Sequence, residues 1–130
     1  MDRITDADLV RVAIEARTHA YAPYSGFPVG AALLAEDGSV HTGCNVECAS
    51  FGATCCAERT AVVKAVSGGY RRFLAVAVVS ERPEPCLPCG ICRQVLLEFA
   101  APGFRLLAGR ADGTFEEYGM QEILPNAFVL

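Results

Sequence analysis

Apolar residues recur at helical spacing at Leu9, Val12, Ala13, Ala16 and Ala20, and Thr5 with Asp8 three positions later resembles a capping box at their start. A first helix is predicted from Asp6 to His19. The following YAPYSGFP carries Pro23, Gly26 and Pro28, which stop that helix and leave a loop with exposed aromatics. Val29 to Ala35 and Val40 to Asn45 are then apolar runs around Asp37-Gly38, the pattern of two strands joined by a tight turn. From Cys56 to Val66 the sequence CAERTAVVKAV favours a second helix, ended at Ser67-Gly68-Gly69. FLAVAVVS, Phe73 to Ser80, is almost unbroken in its apolar and β-branched character, as a central strand covered on both faces requires. A third helix starts near Pro88-Cys89 and continues through RQVLLEF. Beyond Pro102-Gly103, Phe104 to Ala108 and Thr114 to Tyr118 read as shorter strands around Asp112-Gly113, before a helical stretch from Met120 to Leu124. Strands alternating with helices imply an α/β domain whose sheet is covered on both sides.

With 130 residues there is room for one core, so residues 1–130 are read as a single domain. Hydrophobic residues make up 52% of the chain, more than a small globule needs inside, and some of them are expected to face another subunit. Eleven basic against fifteen acidic residues give a net charge of −4, with no basic run beyond Arg71-Arg72. That excludes a clustered cationic face for nucleic acid. No window approaches the roughly 18 apolar residues of a membrane span, and MDRITDADLV lacks the features of a secretion signal. Seven cysteines without such a signal point to a reducing compartment, and a cytoplasmic location is expected.

The chemistry concentrates at the amino-terminal ends of the second and third helices. Cys89 and Cys92 are one helical turn apart, and Cys56 heads the other helix with Glu58 two residues on. Partial positive charge at helix amino termini favours thiolates there, so three sulfurs can converge on Zn²⁺. A three-ligand zinc site keeps a position for water and lowers its pKa to about 7. Three thiolates also leave the metal with a net charge of −1, which Arg59, beside Glu58, can offset by donating hydrogen bonds to sulfur. CxxC pairs serve structural zinc and thiol redox sites too. Redox exchange needs no third thiol with an acid beside it, whereas Cys44, Cys48, Cys55 and Cys86 each offer a fourth sulfur for a closed structural site.

CAER at 56–59 followed by PCGICRQ at 88–94 resembles the paired motif of the zinc-dependent nucleoside deaminases, in which a glutamate that is not a ligand acts as general acid and base. Cysteine stands here at the position of the histidine of H-x-E. With the short chain, and with matching segments from YAPYSGFPVGAA to ILPNAF, the sequence resembles the compact three-cysteine branch of the cytidine deaminases. The resemblance implies a three-layer α/β/α fold around a mixed five-stranded sheet, with Zn²⁺ as the only cofactor. It also implies hydrolytic deamination of the free nucleosides cytidine and 2′-deoxycytidine, by attack of a zinc-activated hydroxide at C4 with Glu58 as proton shuttle. Cys56, Cys89 and Cys92 would be the ligands and Phe27 would line the base pocket. Asn45 and Glu47 would bind the ribose hydroxyls, which suits their two-residue spacing in an extended segment. Backbone groups of Ala57 and Cys89 would meet the pyrimidine, while Phe51 and Phe128 would reach a neighbour's pocket in a homotetramer. The family usually shows NVENAS and this chain has NVECAS, so Cys48 replaces an amide beside the sugar-binding pair. Two other readings stand beside this one: a deaminase of another aminated heterocycle such as blasticidin S, from which YSGF and NVE differ, and a non-catalytic zinc or nucleoside-binding module.

Overall fold

The computed structural model describes residues 3–130. Along the chain the elements are α1 (Asp6–Arg17), β1 (Gly30–Ala35), β2 (Val40–Cys44), a 3₁₀ turn (Phe51–Ala53), α2 (Ala57–Ser67), β3 (Phe73–Val79), α3 (Gly90–Phe99), β4 (Ala100–Gly109), β5 (Phe115–Gly119) and α4 (Met120–Ile123). Thr5 caps α1 by accepting the Asp8 N–H at 3.1 Å. That helix stops at Arg17, short of the expected His19, where the Thr18 hydroxyl turns back to donate to the Glu15 carbonyl at 2.7 Å.

The strands form one sheet in the order β2-β1-β3-β4-β5. β1 is antiparallel to β2 and to β3, β4 is antiparallel to β5, and only β3 and β4 run parallel, joined by α3 as their crossover. The sheet is therefore mixed and five-stranded, as expected. Its two faces bury two separate clusters. Ala32 and Leu34 of β1, with Ala75, Ala77 and Val79 of β3, pack against Leu9, Val10 and Ala13 of α1. Ala31 and Leu33, with Val76 and Val78, pack against Ala57, Ala61, Val62 and Ala65 of α2 and Leu96 of α3. Period-two alternation along β1 and β3 thus assigns each helix its face.

β4 begins at Ala100, four residues before the expected Phe104, and includes Pro102-Gly103. Phe73 is opposite Ala100 while Ala75 is opposite Arg105, so β4 bulges between these pairs, with Gly103 at φ +81°. A bulge is a place where a sheet tolerates proline, and it explains why a breaker in the sequence did not end the strand.

α2 lies directly on β2 at Gly43, where a Cβ would stand 2.4 Å from the Ala57 carbonyl oxygen and 2.5 Å from the Ala61 nitrogen. Those are backbone atoms of the turn that follows Cys56, so side-chain adjustment cannot relieve the clash. Gly43→Ala is expected to cost about 2 kcal/mol or more, the upper part of the usual range for overpacking a core. A lower urea midpoint with an unchanged slope is the expected reading, and an unshifted midpoint would mean that α2 rides over β2 freely.

Candidate active site

Cys56 and Cys89 each occupy the N-cap of a helix, α2 and α3 respectively, in extended backbone, and neither thiol caps its own helix. A thiol is a weak hydrogen-bonding group, so both side chains remain available while the first-turn N–H groups keep their positive potential. Cys92 follows in the first turn of α3 and is fully buried. The sulfurs of Cys56, Cys89 and Cys92 all lie within 4.8 Å of one another, with Cys56 and Cys89 3.8 Å apart. Among the described residues no other cysteine joins this group. Cys86, three residues before Cys89, lies partly buried against the core, and burial pushes its thiol up to about 12.

The electrostatics of the cluster belong to a cation site. Hydrogen bonding from Cys92, then from Arg59 and Cys89, outweighs burial and pulls the Cys56 thiol down to about 5. Cys92 is pushed up because its proton is the one donated to Cys56. The sulfurs compete for protons in a space that a soft divalent cation would fill more favourably. Arg59 donates from Nη2 to Cys56 Sγ at 3.6 Å and to the Thr54 carbonyl at 3.1 Å. Its Nε is buried with no partner. The contacts with Cys56 and Cys92 raise its pKa, so its charge is permanent. Three converging sulfurs, a fixed cation beside them and an unused buried donor fit a zinc–thiolate centre.

Glu58 is 4% exposed in the first turn of α2. Burial, first, and then the negative charge of Cys56 push its carboxyl up to about 7, against the partial offset of its own backbone N–H. A carboxyl held there can both take and return a proton at neutral pH.

The expected sugar-binding pair is close to the loop before β1. Asn45 Oδ1 accepts from the Val29 N–H and Nδ2 donates to the Phe27 carbonyl, both at 2.9 Å, so its amide holds the segment that presents Phe27. Glu47 Oε1 accepts from the backbone N–H groups of Tyr24 and Ser25 at 3.0 Å each, and Oε2 accepts from the Ser25 hydroxyl. These contacts, the Ser25 hydroxyl foremost, hold its carboxyl below the usual range. Tyr24, Ser25, Glu47, Phe51 and Thr54 line a cavity of about 270 Å³. Phe51, 72% exposed, meets Tyr24 edge-on at 5.7 Å. Phe128 is not brought to this cavity: it is 70% exposed on the tail, where its carbonyl accepts from Gln94 Nε2 at 2.9 Å.

The contacts of three residues were not legible in the sequence. The Arg82 guanidinium stacks over the Phe27 ring at 4.6 Å. Thr54 gives its carbonyl to Arg59 and its hydroxyl oxygen to the Cys48 N–H at 3.2 Å. Arg93 reaches two carbonyls far apart in the chain. Only the last had a signal, a cation in the first turn of a helix, where local rules disfavour it.

Residues 3–106 match the family model described as the cytidine and deoxycytidylate deaminase zinc-binding region. The chain is 50% identical over 120 residues to a cytidine deaminase of Halalkalibacterium halodurans, covering 92% of this chain and 91% of that protein. It is 47% identical over 118 residues to a cytidine deaminase of Mycobacterium tuberculosis, covering 91% and 85%. The crystal structure of cytidine deaminase from Burkholderia pseudomallei superposes with a TM-score of 0.91 at 46% identity, over 96% of this chain and all of that one. That from M. tuberculosis gives 0.83 at 41%, over 98% and 100%. Motif, fold and paired helix termini thus converge, and the chain belongs to the cytidine and deoxycytidylate deaminase family.

Proposed function

We propose that the chain is a zinc-dependent hydrolase that converts cytidine and 2′-deoxycytidine to uridine and 2′-deoxyuridine with release of ammonia. The observation that carries this reading is the buried Glu58 set two residues from a three-sulfur cluster at facing helix amino termini. Cys56, Cys89 and Cys92 would hold the zinc, which when bound supplies the Lewis acidity that makes hydroxide available near neutral pH. Glu58 takes the proton that water gives up and delivers it to N3 of the base. Once hydroxide has added to C4, Glu58 takes the proton of that new hydroxyl and passes it to the amino group, which leaves as ammonia while the C4 carbonyl forms. Arg59 keeps the thiolates' charge from cancelling that acidity. Phe27 packs on the base, backbone groups of Ala57 and Cys89 meet the pyrimidine, and Asn45 and Glu47 take the ribose hydroxyls.

Residues 1–130 act as one catalytic domain in the cytoplasm on a free nucleoside. No helix among the described residues is long and apolar enough to cross a membrane. Ammonia release from cytidine, 2′-deoxycytidine and blasticidin S tests the assignment. Turnover of the two nucleosides alone is expected, and turnover of blasticidin S with cytidine untouched would replace the substrate.

The enzyme works as a homotetramer in which Phe51 and Phe128 complete a neighbour's pocket. Both rings are largely exposed in the single chain, as are Val129 and Leu130. Deleting Phe128 to Leu130 should leave zinc bound and lower kcat/KM roughly ten-fold, through a lost aromatic contact of about 1 kcal/mol and poorer exclusion of water. Sedimentation reads the assembly. A fully active monomer would show that each chain builds its pocket alone.

A further inference from the structure

Arg93 is the fourth residue of α3, where the partial positive charge of the helix end disfavours a cation. Its contacts explain its place. Nε donates to the Pro88 carbonyl at 2.8 Å, and the Arg93 backbone N–H donates to the Cys89 carbonyl at 3.0 Å. The peptide groups on both sides of Cys89 are therefore held by one residue. From the same guanidinium, Nη1 donates at 2.8 Å to the carbonyl of Ile123, the last residue of α4, after which the chain runs out to Phe128. The adjacent Gln94 holds the Phe128 carbonyl. A planar guanidinium can serve two acceptors in fixed, diverging directions, and a lysine ammonium on its flexible stem cannot reproduce that fork.

We propose that Arg93 is a positioning residue that ties the loop carrying Cys89 to the carboxy-terminal tail, so that one side chain sets both the aim of the Cys89 sulfur and the root of the tail. The proposal rests on the reading of Cys89 as a zinc ligand. Cys89 is exposed and its sulfur caps nothing, so its orientation depends on the peptide planes around it. Groups that orient a ligand are worth about 10- to 100-fold in metal affinity. Gln94 reaches only the tail, and the two neighbouring residues can be told apart by experiment.

The test uses the zinc-loaded protein, measuring zinc transfer to a chromogenic chelator and hydrogen exchange in the peptide covering residues 119–130. Arg93→Ala should release zinc about ten-fold faster or more, and its tail peptide should exchange faster. Gln94→Ala should speed exchange in the tail while zinc leaves at the parental rate. Arg105→Ala removes a guanidinium that grips Asp6 at 2.7 and 2.8 Å, away from α3, and controls for general destabilisation with parental zinc release expected. Should Arg93→Ala not fold, Arg93→Lys takes its place with the same two expectations. Parental zinc release or parental tail exchange in the Arg93 variant, or zinc release accelerated equally in Gln94→Ala or Arg105→Ala, would overturn the proposal. A parent protein that binds no zinc would sink the ligand assignment, and the proposal with it.

Discussion

Alanine at Cys56, Cys89 or Cys92 is expected to take zinc from about one ion per chain to near none and to abolish turnover, because two sulfurs cannot hold the metal that three hold. The sulfurs lie within 4.8 Å of one another on the amino termini of α2 and α3, so each loss opens a side of the same site. The remaining pair would carry one negative charge fewer beside the fixed charge of Arg59, and so would attract a divalent cation less. Cys86→Ser should retain both zinc and activity, since burial keeps that thiol protonated and it lies outside the cluster. Metal analysis of the purified variants decides. Zinc lost from Cys86→Ser but retained in Cys92→Ala would reassign the ligands within CLPCGIC.

Glu58→Gln should keep zinc and fold yet lower kcat by at least about 10²- to 10⁴-fold, the range for a positioned acid–base group. Glutamine matches the shape of the side chain, which is 4% exposed, so packing against the first turn of α2 survives. What it removes is a group that can change its protonation state. Burial has brought the Glu58 carboxyl to about 7, where taking and returning a proton are both accessible at neutral pH, and an amide does neither. KM for cytidine should change far less than kcat. Near-parental turnover in a zinc-replete preparation would place the proton transfer on another group.

Legibility differed between parts of the molecule for physical reasons. The period of the apolar pattern marks the buried side of α1, and the unbroken apolar runs mark β1 and β3 as strands covered on both faces, but which side of each strand meets which helix is not written in such runs. The β4 bulge was not readable: Pro102-Gly103 signals a break, and only pairing with β3 makes those residues part of a strand. Sequence reading placed Cys56 and Cys89 in their helices, and the structure places each one residue earlier, at the N-cap. There the side chain leaves the helix instead of lying along it, which frees both sulfurs to meet.

The sequence by itself determined the α/β pattern, the family, and the residue types able to form a thiolate metal site with an acid beside it, since these depend on local periodicity and short motifs. Only the tertiary structure decided that Cys56 and Cys89, 33 positions apart, stand 3.8 Å from each other while Cys86 stays out. The same holds for Asn45, whose amide braces the Phe27 segment, and for Arg93, which joins the Cys89 loop to the end of α4. Such contacts arise from how α2 rests on Gly43 and how α3 crosses between β3 and β4. A motif specifies which groups are available. Their distances and their pKa values follow from burial and neighbours, and those exist only once the sheet has brought the two helix ends together.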